Sequence, residues 1–167
     1  MILPVHLLPS SLGLKWGMSK EHCLAVLEAM PLKESDTFVT VKIQIQGSLY
    51  DVHLLFDDSG GLERIRLYLY MSRSFWDEYS GEEIVRTEME YRGHYDRLKE
   101  YYSVVLGPPN FSGAWGTAEY PEDEIAADIT YWNHPEGRMQ LEYDHPDKEL
   151  PVFVSVSSFP VHQQENQ

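Results

Sequence analysis

The chain has 167 residues, 43% hydrophobic and 13% aromatic, which is material enough for the core of one domain without a covalent staple. Thirteen basic side chains stand against 27 acidic ones, a formal charge of −14 that opposes a nucleic-acid backbone or an anionic membrane surface and suits a basic protein partner. A single cysteine excludes an internal disulfide and any multi-cysteine zinc site, so the cytoplasm is the expected compartment.

Residues 1 to 15 read as an extended N-terminal arm. The stretch is apolar, but it has no Lys or Arg before Lys15 and is broken by Pro4 and Pro9, unlike a signal peptide. Ser19 is placed as an N-cap, with Glu21 in the first turn where a negative charge suits the helix dipole. The helix is expected over about residues 20 to 29, before Pro31, with Cys23, Leu24, Leu27 and Met30 on one face. His22 beside Cys23 invites a nucleophile reading, yet neighbours on a helix point about 100° apart, and a free Cys on an apolar face behaves as a small hydrophobe.

In "FVTVKIQIQ", Val39, Val41, Ile43 and Ile45 alternate with Thr40, Lys42, Gln44 and Gln46, the period of a strand with one wet face. Gly47-Ser48 turns into "LYDVHLLF", and "DDSGG" at residues 57 to 61 turns into "LERIRLYLYM", with Ile65, Leu67, Leu69 and Met71 in phase. These segments predict a three-stranded antiparallel meander. From Ser80 the period lengthens, and Ile84, Tyr91, Tyr95, Leu98, Tyr102 and Val105 mark an amphipathic helix of about 25 residues, stopped by Gly107-Pro108-Pro109. Three strand signals follow: "EIAADITYW" with Ile125, Ala127, Ile129 and Tyr131 in phase, "RMQLEY", and "VFVSVSSF". A shorter strand around Ala114-Trp115-Gly116 precedes them.

The expected fold is therefore α+β: a mainly antiparallel sheet with a short N-terminal helix and one long central helix, in one domain over residues 1 to 167 with a flexible tail from 160. "GLKWGMSKEHCLAVL", the meander, the helix end "YYSVVLGPP" and the Trp-bearing "GAWG" together resemble a group of small bacterial α+β proteins. The group includes the helix-plus-meander modules of β-lactamase inhibitor protein, of small outer-membrane assembly lipoproteins and of toxin immunity proteins. The resemblance implies binding to another protein rather than catalysis.

The charge is uneven, −4 over residues 1 to 99 and −10 over residues 100 to 167. The expected partner-binding residues are Glu119, Glu122, Asp123, Glu124 and Asp128, with Glu142 and Asp144 on an adjoining strand. Consecutive Tyr131 and Trp132 point to opposite faces of a strand, so one of them is expected outside the core, and Trp132 is assigned as the anchor. These acids would steer and pair with a basic toxin domain, making the chain a cytoplasmic immunity protein, not an enzyme.

No cofactor or metal is expected, because the ligand-type residues His134, His145, Asp144 and Asp147 lie in turns without a zinc spacing, and no glycine cluster forms a phosphate loop. Two alternatives stand beside this reading. One is a small metal-dependent enzyme using those turn residues; the other is a scaffold domain whose acidity serves only solubility. His94 and Asp96, two apart on the long helix, are expected to face solvent.

Overall fold

The structure is a computed structural model, describing residues 8–45, 47–72, 81–146 and 151–161. Pro4, Gln46, Ser80, Asp147 and the chain end from residue 162, all singled out above, lie outside the described residues. Among the described residues two α-helices, α1 (Lys20–Leu27) and α2 (Gly81–Leu106), accompany eight strands: β1 (Pro31–Glu34), β2 (Phe38–Ile45), β3 (Ser48–Phe56), β4 (Leu62–Met71), β5 (Phe111–Ala114), β6 (Asp128–His134), β7 (Gly137–Asp144) and β8 (Phe153–Phe159). The fold is α+β, as expected, and all eight strands join one antiparallel sheet in the order β1-β2-β3-β4-β8-β7-β6-β5. The meander continues beyond three strands on both sides, because β1 adds to β2 and the C-terminal strands add through β8 to β4.

Contacts divide the chain into two compact units. One holds α1, β1 to β3, the start of β4, the β6–β7 turn and the end of β8. Its register follows the alternation, Val41 opposite Val52 and Val52 opposite Leu67, with Val39, Val41, Val52, Leu54, Phe56, Leu62, Ile65 and Leu67 all buried. Asp57 closes the β3–β4 turn by accepting from the Ser59 N–H and hydroxyl and from the Gly61 N–H, which holds its carboxyl below the ordinary range.

Ser19 caps α1 as expected, its hydroxyl accepting from the His22 N–H at 3.2 Å. Leu14 is buried, and the segment after it is clamped: Gly17 donates to Leu62 C=O, and Leu62 donates back to Met18 C=O. A Cβ on Gly61 would sit 3.0 Å from the Gly17 Cα, so this crossing requires glycine. Within the arm expected to be extended, Pro9–Leu12 is a single 3₁₀ turn. The expected helix face is shorter than its apolar spacing. α1 stops at Leu27, Glu28 takes a left-handed conformation with φ 51°, and Met30 is left exposed. The exposed strand β1 was not foreseen; it starts at a proline, which an edge strand tolerates.

The other unit holds α2, β5, the ends of β4 and β7 and the starts of β6 and β8. α2 buries Tyr95, Leu98 and Tyr102, but Val105 is exposed, as is Met71 at the end of β4. His94 is not solvated as expected. Its ring stacks on Tyr70 with centroids 3.9 Å apart, and burial together with the Arg97 charge lowers its pKa. The short strand is Phe111–Ala114, ending before Trp115, and β6 starts only at Asp128, so Ile125 and Ala127 precede it.

Candidate acidic surface

The eight residues expected to form one face divide into a buried group and an exposed group. Trp132 is 4% exposed; its indole N–H donates to Gly107 C=O at 2.9 Å and its ring packs on Tyr102. It is a core residue because its face of β6 is covered, so it presents no anchor to a partner. Its half-buried neighbour Tyr131 stacks on Phe111.

Glu142 is 2% exposed and accepts from Gln140 Nε2 at 2.9 Å and Ser155 Oγ at 3.2 Å. Asp144 is buried and accepts from the Ala127 N–H at 3.3 Å; desolvation, helped by the Glu142 charge, raises its carboxyl above the ordinary range. Neither lies on the exposed surface assigned to it. Asp128 is half-buried and already paired, 2.6 Å from the Arg92 guanidinium, which lies over the Tyr143 ring. Tyr120 shows that these acids share one neighbourhood. Its hydroxyl donates to Ala126 C=O, and its pKa is pushed up to about 12 by burial first and then by the charges of Glu124, Glu142, Asp144 and Asp128.

What remains for solvent is the loop from β5 to β6. Glu119, Glu122 and Asp123 are exposed and Glu124 is half-exposed. On either side of them in the chain stand two exposed apolar side chains that the sequence reading did not single out as anchors, Trp115 at 67% exposure and Ile125 at 83%. The loop is internally bonded. Its ends are tied by the Trp115 N–H to Ala127 C=O at 2.9 Å, and Thr117 returns both N–H and hydroxyl to Ala114 C=O. Tyr120 donates to Thr117 C=O and Glu124 to Pro121 C=O, while Gly116 supplies the left-handed turn at φ 88°. Two large apolar groups are thus held in water on a fixed backbone beside three solvated carboxylates.

The other candidates take structural positions. Cys23 is fully buried, and burial pushes its thiol up to about 11, away from the thiolate a nucleophile requires. His134 Nδ1 accepts from the Glu136 N–H at 3.1 Å, and His145 Nδ1 lies 2.7 Å from the Glu88 carboxylate. Among the described residues no three His, Cys, Asp or Glu gather to hold a metal ion, and no helix is long and apolar enough to cross a membrane. Comparisons with protein-family models, curated proteins and solved structures return no match.

Proposed function

We propose that the chain is a non-enzymatic protein-binding module that recognises a basic partner through the loop of residues 115–127. On this reading it acts in the cytoplasm as an immunity protein, covering a basic toxin domain. The observation that carries the reading is the exposure of Trp115 and Ile125 on an internally bonded loop, flanked by Glu119, Glu122 and Asp123. A large aromatic at a fixed position supplies contact area at small ordering cost, and the surrounding acids supply steering and register. Trp115 takes over the anchoring role first given to Trp132. Asp144 holds the end of the loop through the Ala127 N–H, while Glu142 is engaged by Gln140 and Ser155 and Asp128 by Arg92, so on this reading none of the three meets the partner.

The test is a comparison of association and dissociation rates at two salt concentrations for wild type, Glu122→Lys/Asp123→Lys and Trp115→Ala, against a partner isolated by affinity capture. Charge reversal is expected to slow association and flatten its salt dependence, since exposed charges act through a field screened within about 8 Å at physiological ionic strength. Truncating Trp115 is expected to raise the dissociation rate at a cost of about 2 kcal/mol. Wild-type rates in both variants would reject the loop as the contact surface. Failure to capture any basic protein would favour the scaffold alternative, in which the acidity serves solubility.

A further inference from the structure

Independently of that loop, the 3₁₀ turn, the segment after it and the β6–β7 turn line an open cleft of about 590 Å³, within the size range of small-molecule sites. Trp16 and Pro135 supply its accessible apolar surface, and Pro9 and Leu14, which also line it, are buried. The polar groups of the walls are already engaged. The Glu136 carboxylate accepts from the Ser10 N–H at 2.5 Å and the Ser10 hydroxyl at 2.6 Å, so both its oxygens are used. Trp16 Nε1 donates to Glu136 C=O, and the Glu136 N–H goes to His134. Lys15 differs from these: it is exposed at the cleft, its carbonyl accepts from the Met18 N–H, and its side chain takes part in no hydrogen bond or ion pair among the described residues. Among the described residues its ammonium group is therefore available to an anion.

We propose that this cleft binds a small aromatic carboxylate, with its ring against Trp16 and Pro135 and its carboxylate paired to Lys15 Nζ. A cationic ligand would meet Lys15 and find the Glu136 oxygens occupied. A wholly apolar ligand would leave the lysine unused. The fixed indole and proline rings favour a planar body, for which aromatic and proline surfaces offer contact without side-chain reordering.

The probes are 2-naphthoate and its neutral analogue 2-naphthalenemethanol, titrated into the full chain and followed by amide chemical shifts. Saturable binding of 2-naphthoate is expected at residues 9–16 and 135–136. Lys15→Met is expected to weaken 2-naphthoate about three- to fivefold, the scale of one solvent-exposed charge pair, with binding of the neutral probe unchanged. Lys15→Arg should retain the preference for the anion. Because Lys15 is exposed, an unchanged melting temperature in Lys15→Met shows that the fold is intact. The proposal is overturned if 2-naphthoate fails to bind at millimolar concentration, if its shifts map outside the cleft, or if Lys15→Met leaves its affinity unchanged. None of these outcomes depends on the 115–127 loop.

Discussion

Strands β2 and β7 are both eight residues long and both alternate apolar with polar side chains, yet they are buried differently. In the second half of β2, Lys42 and Gln44 are exposed beside buried Val41, which is the pattern of a sheet with one wet face. In β7 the apolar set Met139, Leu141 and Tyr143 is buried, and so is the polar set Gln140, Glu142 and Asp144. β8 repeats this, with Val154 and Val156 on one face and Ser155 and Ser157 on the other, all buried. Sheet pairing does not distinguish β2 from β7, because each lies between two neighbours. What differs is whether the second face is covered. Alternation reports which residues share a face; it does not report whether that face is wet.

The largest effect expected from this difference is at Trp132. Trp132→Ala should cost about 3–5 kcal/mol in urea unfolding, as for any large core aromatic, whereas Lys42→Ala on the wet face of β2 should stay within about 0.5 kcal/mol. A loss below about 1 kcal/mol for Trp132→Ala would place that face of β6 in solvent and restore the surface role.

A smaller contrast is set by the polar residues themselves. Glu142→Ala leaves the Gln140 amide and Ser155 hydroxyl without their carboxylate, and is expected to cost about 2 kcal/mol, against about 0.5 kcal/mol or less for Gln44→Ala. Equal, small losses at both positions would mean that β7 is as wet as β2.

The smallest contrast lies in the pH dependence, where His53, opposite Thr40 of β2 on the neighbouring β3, and Asp144 on β7 contribute with opposite signs. Burial, helped by the Arg66 charge, lowers the His53 pKa from 6.5, so the folded protein binds fewer protons than the unfolded chain and stability falls as pH drops below about 6.5. Desolvation raises Asp144 from 3.8, so there the folded protein keeps its proton longer, and stability falls as pH rises from 3.8 through the raised value. His53→Gln should therefore flatten the stability profile just below pH 6.5, and Asp144→Asn should flatten it above pH 3.8. Unfolding midpoints across pH measure both, and an unchanged profile in either variant would remove that residue from the account.

Much of the fold was legible where local chemistry decides it. The meander follows from the alternation of β2 to β4, α1 starts at its Ser19 cap, and α2 ends at Gly107-Pro108. The edge strand β1 was hidden because "PLKE" carries neither alternation nor β-branched residues, and its pairing with β2 is a long-range choice. The site was legible in composition and not in depth. The run Glu122-Asp123-Glu124 signalled the acidic loop, but the burial of Trp132, Glu142 and Asp144 depends on covering segments that spacing does not reveal. Trp115 did carry a signal: "GAWG" sets it between two glycines at a strand end, where a turn lifts the side chain out of the sheet. Ile125 carried no such signal, because its phase with Ala127 and Ile129 reads it into the strand that starts only at Asp128.

The claim that loop 115–127 is the contact surface is tested most directly by placing a photo-reactive phenylalanine analogue at position 115 and, separately, at position 104. Val104 is exposed on α2 and serves as a control for any exposed apolar site. Irradiation in the producing cells is expected to give a covalent adduct to one basic protein from position 115, lost when Glu122→Lys/Asp123→Lys is added, and no such adduct from position 104. Equal adducts from both positions, or none from position 115, would contradict the account.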